Sequence, residues 1–145
     1  MKFSSTVAVL LVILVGAIPA VAADPDLTAE IQKGGAPWAR VASDGTVYVE
    51  GQPRGKIGPD GRVLVEGQAV GSVTPGGVIH KDGADVGYLS AKGDIVVDGA
   101  LVGAVSSSGN ILLRGAQWGY APNCAGMDGR RLVATVVLFF ADDFK

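Results

Sequence analysis

From Arg40 to Gly119 the chain writes one sixteen-residue unit five times without a gap: RVASDGTVYVEGQPRG, KIGPDGRVLVEGQAVG, SVTPGGVIHKDGADVG, YLSAKGDIVVDGALVG and AVSSSGNILLRGAQWG. Glycine returns at unit position 6 (Gly45, Gly61, Gly77, Gly93, Gly109), position 12 (Gly51, Gly67, Gly83, Gly99, Gly115) and position 16 (Gly55, Gly71, Gly87, Gly103, Gly119). Those fifteen positions hold most of the 22 glycines, so the glycine content is architecture and not low complexity. A fixed period of this kind constrains the fold before any other feature does, because each unit must bury its apolar face against its neighbours.

Turn chemistry gives the inside of one unit. Position 8 is always β-branched (Val47, Val63, Ile79, Ile95, Ile111) and position 2 is always apolar (Val41, Ile57, Val73, Leu89, Val105). A three-residue loop over positions 4–6 ends on a residue at positive φ, where glycine carries no Cβ penalty, and pairs 3 with 7 and 2 with 8. The pairs Glu50-Gly51, Glu66-Gly67, Asp82-Gly83 and Asp98-Gly99 suit a two-residue hairpin turn with positive φ at both residues. That turn is expected to pair 8 with 15, where Val70, Val86, Val102 and Trp118 stand and Arg54 is the polar exception. Positions 2, 8 and 15 then form one apolar row. Position 15 and the next unit's position 2 are an odd number of residues apart, so a regular strand would put them on opposite faces. The intervening glycine can supply a bulge that returns both inward. A bend repeated once per unit curls a meander of short strands into a ring, and the fold class is all-β.

Residues 24–39 are a worn copy of the unit, with Ile31, Gly35, Trp38 and Ala39 at positions 8, 12, 15 and 16. Trp38 and Trp118 share position 15 at the two ends of the array, which predicts a capping role. The segment 23–39 is therefore a degenerate leading repeat or cap, 40–119 the clear repeats, 120–129 a linker and 130–145 an apolar terminal segment. Residues 1–22 have the pattern of an export signal: Lys2, an apolar run from Val7 to Val15, and Ala20-Val21-Ala22 as a small-x-small cleavage site. A retained anchor is the alternative reading. The expected location is the periplasm or the outside of the cell.

The repeat pattern, the exit through Gly119-Tyr120-Ala121 and a terminal apolar run rich in Ala and Phe resemble the bacterial five-fold β-flower proteins over roughly residues 40–145. The resemblance implies a compact five-petalled rosette with the terminal run packed on it as a short helix across its base. It implies no catalytic residue and no cofactor. This chain departs from the pattern in its worn leading unit, in Trp118 and in the Asn123–Gly129 linker that contains Cys124, which leaves five or six units as alternatives for the ring.

Little in the chain suggests chemistry. The charge balance, 12 Lys and Arg against 14 Asp and Glu, forms no basic stripe, so nucleic acid is not an expected partner. The single cysteine, Cys124, excludes an intramolecular disulfide. One histidine, His80, lies on the face opposite the apolar row, and one His with one Cys cannot make a transition-metal site. No metal, no cofactor and no catalytic residue is expected. The carboxylates at position 11 could gather round a calcium ion only if the hairpin tips converged. The candidate ligand contacts are Trp38, Tyr48, His80 and Trp118, with plugging of the array ends as the competing role for the tryptophans. The expectation is an exported non-enzymatic structural or binding module with an envelope or extracellular partner. A carbohydrate-binding module using the end aromatics and an enzyme of hydrolase type are the alternatives. Leu132–Ala141 (LVATVVLFFA) is half the length of a membrane span and is expected to pack on the domain as helix or strand. Membrane contact is expected only through an uncleaved signal or this segment.

Overall fold

The structure, a computed structural model, describes residues 27–122 and 126–144. The expected signal and Cys124 lie outside them. Twelve antiparallel strands run in chain order: β1 (Leu27–Lys33), β2 (Ala36–Ala42), β3 (Thr46–Val49), β4 (Gln52–Ile57), β5 (Arg62–Val65), β6 (Gln68–Val73), β7 (Val78–Lys81), β8 (Ala84–Leu89), β9 (Asp94–Val97), β10 (Ala100–Val105), β11 (Asn110–Leu113) and β12 (Ala116–Tyr120). Each strand pairs with its sequence neighbours, and β1 pairs with β12, Gln32 opposite Tyr120 and Lys33 opposite Gly119, to close the sheet into a barrel. Closure removes the edges that an open meander would expose. Twelve strands make six hairpins. The ring is therefore not completed by five petals: the worn copy supplies the sixth hairpin, β1–β2, whose tip Gly34-Gly35 stands sixteen residues before Glu50-Gly51 and has φ of 60° and 86°.

Both turns follow the glycines. Position 6 has φ between 90° and 96° in all five units. Its N–H donates to the carbonyl of position 3, as Gly61 to Gly58 and Gly77 to Thr74, and position 3 donates in turn to position 7, as Thr74 to Val78. Position 2 pairs with position 8 throughout, as in Val73 opposite Ile79. At the other turn Glu50, Glu66, Asp82, Asp98 and Arg114 all have φ near 50° and are followed by a glycine near 80°. These are the two consecutive positive values that a two-residue hairpin turn needs to match strand twist.

The pairing at position 15 differs from the expected one. Position 8 pairs with 16, Val63 with Gly71 and Ile79 with Gly87, while 15 is the extra residue of a β-bulge. The bulge recurs in every hairpin of the ring. The reason is space. A Cβ on Gly71 or Gly103 would strike the carbonyl of the adjoining strand, at His80 or Leu112, and an aromatic ring from the C-terminal segment, Phe139 or Phe144. Only glycine lets the strand come this close, and the neighbouring residue is displaced into the bulge.

The C-terminal run is a helix, α1 (Gly126–Phe140), which begins inside the segment expected to be linker, and a short 3₁₀ turn, Asp142–Phe144, follows it. It does not lie across the base of the ring. Six consecutive residues, Val133–Leu138, are buried. At about 3.6 residues per turn, six in succession cover every face of the helix. α1 packs on β1, β10 and β6, which stand three, four and five strands apart around the twelve-strand ring. The helix is thus enclosed by the barrel. At the rim of the three-residue turns Arg130 Nη1 donates to the Lys92 carbonyl, and at the opposite rim the Lys81 ammonium sits 5.4 Å from the Phe139 ring centre. The buried Thr135 hydroxyl donates to the Arg131 carbonyl at 2.7 Å, so the helix brings no unpaired hydroxyl into the core.

The core is this helix surrounded by the rows at positions 2 and 8. All five residues at position 8 are 0% exposed. Position 10 is less covered, with Val49 buried and Val65, Val97 and Leu113 partly so. Ile79→Ala is expected to lower stability by about 2–5 kcal/mol, since the closed sheet cannot collapse onto the void. Denaturant unfolding checks this, and a change under about 1 kcal/mol would mean that the row does not face the helix.

Candidate functional site

The seam that closes the barrel is marked by aromatic residues. Trp118 on β12 is buried and meets Trp38 of β2 edge to face, with ring centres 5.2 Å apart, and Phe144 in the same way at 5.4 Å. Its indole N–H donates to Asp143 Oδ2 at 2.8 Å, and Lys33 Nζ reaches the same oxygen at 2.7 Å. Asp143 therefore ties the C-terminal turn to β1 and β12 together. The Lys33 hydrogen bond, then the Trp118 one, holds its carboxyl below the usual aspartate range. A depressed native value stabilises the fold above the unfolded-state value of 3.8, and this contribution is lost as the pH falls through the native value. Asp143→Asn is expected to remove that part of the acid dependence of stability and to leave the profile above about pH 5 parallel to wild type. Thermal unfolding of both proteins from about pH 2 to 7 measures it, and superimposable profiles would show that Asp143 does not tie the seam.

Outside the seam, Trp38 lines a groove of about 300 Å³ together with Glu30, Pro37, Arg40, Tyr48 and Glu50. The sheet register explains the grouping. Arg40 on β2 is paired with Glu30 on β1 and with Tyr48 on β3, so the three stand side by side on the outer face. The Arg40 guanidinium carbon lies 4.0 Å from the Tyr48 ring centre, a cation–π contact. Glu50 opens the adjacent hairpin tip, and its N–H donates to the Trp38 carbonyl at 2.7 Å. The groove thus offers a partly exposed indole, a guanidinium fork and two carboxylates in one recess.

Two of the four candidate contacts, Trp38 and Tyr48, come together here. Trp118 does not: it turns into the core and plugs the seam. His80 is half-buried on β7, paired with Ser72 and Asp85, away from the β1–β3 face. Tyr120, which follows Trp118 at the exit from the repeats, is 39% exposed and does not share its plugging role. The carboxylates at the hairpin tips do not gather, and among the described residues no three His, Cys, Asp or Glu side chains are placed to hold a metal ion. No helix among the described residues is long and apolar enough to cross a membrane. Sequence reasoning misses Glu30, Pro37, Arg40 and Glu50. The signal that could have found them is the period itself. A shift of sixteen leads from Thr46 and Pro53 back to Glu30 and Pro37 on the worn unit, and from Lys56 and Glu66 back to Arg40 and Glu50 on the first clear one.

Fold and groove together define a class, a closed all-β barrel of hairpins around its own C-terminal helix, with an aromatic recess on its outer face. No protein-family model, curated protein or solved structure matches the chain.

Proposed function

We propose that the protein is an exported, non-catalytic binding module of the bacterial envelope or extracellular space, related to the five-fold β-flower proteins, and that its ligand occupies the groove at Trp38 and Tyr48. The observation that carries this reading is the grouping of Trp38, Arg40, Tyr48 and the two glutamates in one open recess. A recess of this size with an aromatic wall and a few convergent polar groups is the usual form of a small-ligand subsite. A rigid closed barrel presents it without reorganisation, which lowers the entropic cost of binding. The lone histidine stands elsewhere on the ring, so a Ser/His or Cys/His nucleophile pair has no base beside this recess.

The test is capture of envelope components by the purified exported protein and by Trp38→Ala and Arg40→Ala variants, with folding checked by circular dichroism. Capture by wild type that both variants lose supports the groove. Capture unaffected by both overturns it. Turnover of a captured polymer that Glu50→Gln abolishes would overturn the non-enzymatic half of the reading.

A further inference from the structure

Resting on the binding reading above, we propose that the ligand of the Trp38 groove is a free amino acid with a cationic side chain, of the lysine or arginine type. The recess holds charges of both signs that do not neutralise one another. Glu30, half-buried on β1, stands directly opposite Arg40 on β2, a register in which opposite charges attract across strands. Elsewhere among the described residues such neighbours do pair: Lys33 with Asp143 at 2.7 Å, Arg131 with Asp128 at 3.0 Å and Arg62 with Asp60 at 3.7 Å. Arg40 makes no ion pair with Glu30 or Glu50, and its guanidinium is turned onto Tyr48, 4.0 Å from the ring centre. A guanidinium held against a ring keeps its N–H edge for hydrogen bonds. The groove therefore presents a fork of donors and two carboxylates to a ligand, one positive charge against two negative.

Size and layout select the ligand. A volume of about 300 Å³ is at the bottom of the range for small-molecule sites, so the groove admits one residue-sized molecule and not a run of polymer. Glu30, Arg40 and Tyr48 form one row across three paired strands. From that row the recess follows a single strand to its tip: Glu50 is two residues beyond Tyr48, about 7 Å at about 3.4 Å per residue. An α-amino acid carries its carboxylate and ammonium on one carbon, which suits the neighbouring Arg40 and Glu30. The Arg40 fork donates to the carboxylate, and Glu30 accepts from the ammonium. The side chain then runs past Trp38, whose indole covers an aliphatic stem. A stem of three or four carbons brings its cation to Glu50, beside the same aromatic wall. The two positive charges and one negative of such a ligand complement those of the groove. An acidic amino acid would set its side-chain carboxylate against Glu50, and an uncharged one would leave Glu50 without a partner.

The experiment is calorimetric titration of the purified protein with lysine, arginine, norleucine, glutamate, Nα-acetyl-lysine and lysine amide. Lysine and arginine should bind, norleucine about fivefold more weakly, the upper end for one exposed ion pair, and glutamate not detectably. Nα-acetyl-lysine and lysine amide, which each lack one of the two α-charges and stand for the ends of a peptide, should bind at least about tenfold more weakly than lysine. Arg40 and Glu50 are both exposed, so their variants keep the fold. Glu50→Gln should remove the preference for lysine over norleucine and leave norleucine binding unchanged. Arg40→Ala should bring lysine down to the level of its amide. Lysine amide or glutamate bound as tightly as lysine would overturn the assignment, and so would a Glu50→Gln protein that loses lysine and norleucine equally. If no amino acid binds while envelope components are still captured through Trp38, the amino-acid assignment is wrong and the groove reading stands. If neither amino acids nor any Trp38-dependent component bind, both fall.

Discussion

Removing residues 126–145 is expected to leave a chain that does not fold to a monomer. The helix is the inner half of the core: Val133, Val136, Val137 and Leu138 are fully buried, and Phe144 beyond it is 5% exposed. Burial of each such side chain contributes about 1.5–3 kcal/mol, so the five together are on the order of 10 kcal/mol. The whole stability of a domain is about 5–15 kcal/mol. The loss does not stop there, because the rows at positions 2 and 8 would then line an apolar hole running through the barrel. Strands of four to seven residues cannot bend far enough to fill it. A helix that merely covered one end would leave most of that row packed, and its removal would cost much less. The truncated protein should therefore lack a cooperative thermal transition, lose the near-ultraviolet signal of Trp38 and Trp118, and aggregate without any membrane present. A monomer that unfolds cooperatively near the wild-type midpoint would place the helix outside the barrel.

How much of this is legible in the sequence follows from what each residue is asked to do. Both turns can be read because a positive φ is a local demand and glycine answers it locally, at Gly61 as at Gly67. The bulge is legible in kind but not in place. Turn rules put the glycine of position 16 between two inward residues, whereas Gly87 is itself the partner of Ile79 and sits against the Val96 carbonyl. That requirement belongs to the neighbouring strand, and rules within one unit cannot express it. The helix is half legible. LVATVVLFFA has no polar stripe apart from Thr135, and a helix apolar all round belongs inside; a position across the base would need one wet face. The ring size is obscured because residues 24–39 keep the glycine tip and the bulge but not the sequence of the first strand. At the closing seam Lys33 pairs with Gly119, where a Cβ would meet the Gln32 carbonyl, and nothing within the worn unit announces that partner. The groove is the least legible part. Trp38 and Tyr48 stand out as aromatics, but only the register of β1, β2 and β3 brings Glu30 and Arg40 beside them.

Three glycines of the third unit should respond to the same substitution in three different ways, and this separates conformational from steric demand within sixteen residues. Gly83, at a hairpin tip, has φ of 83° and nothing within 4 Å of the place a Cβ would take, so Gly83→Ala is strained only by its dihedral. The ring already holds Asp82 at φ 51° in the preceding position, which shows that such a tip accommodates a side chain. Its expected cost is about 1–2 kcal/mol, the penalty of an L-residue in left-handed backbone. Gly87 is the reverse case. Its φ is not in the left-handed region, but a Cβ would overlap the Val96 carbonyl and press on Val97 Cα, backbone atoms of a paired strand that cannot rotate away. Gly87→Ala must separate β8 from β9 and is expected to cost more than about 3 kcal/mol, beyond ordinary overpacking. Gly77 carries both demands, with φ of 93° and the Leu89 carbonyl in the path of its Cβ. Gly77→Ala should also break the bond from the Leu89 N–H to the Gly77 carbonyl that closes the base of the β7–β8 hairpin, and its cost should equal or exceed that of Gly87→Ala. Urea unfolding of the three variants gives the ranking directly. If Gly83→Ala proved the most damaging, or Gly87→Ala fell within about 1 kcal/mol of wild type, the close approach of strands at position 16 would not be what holds the barrel to its small radius.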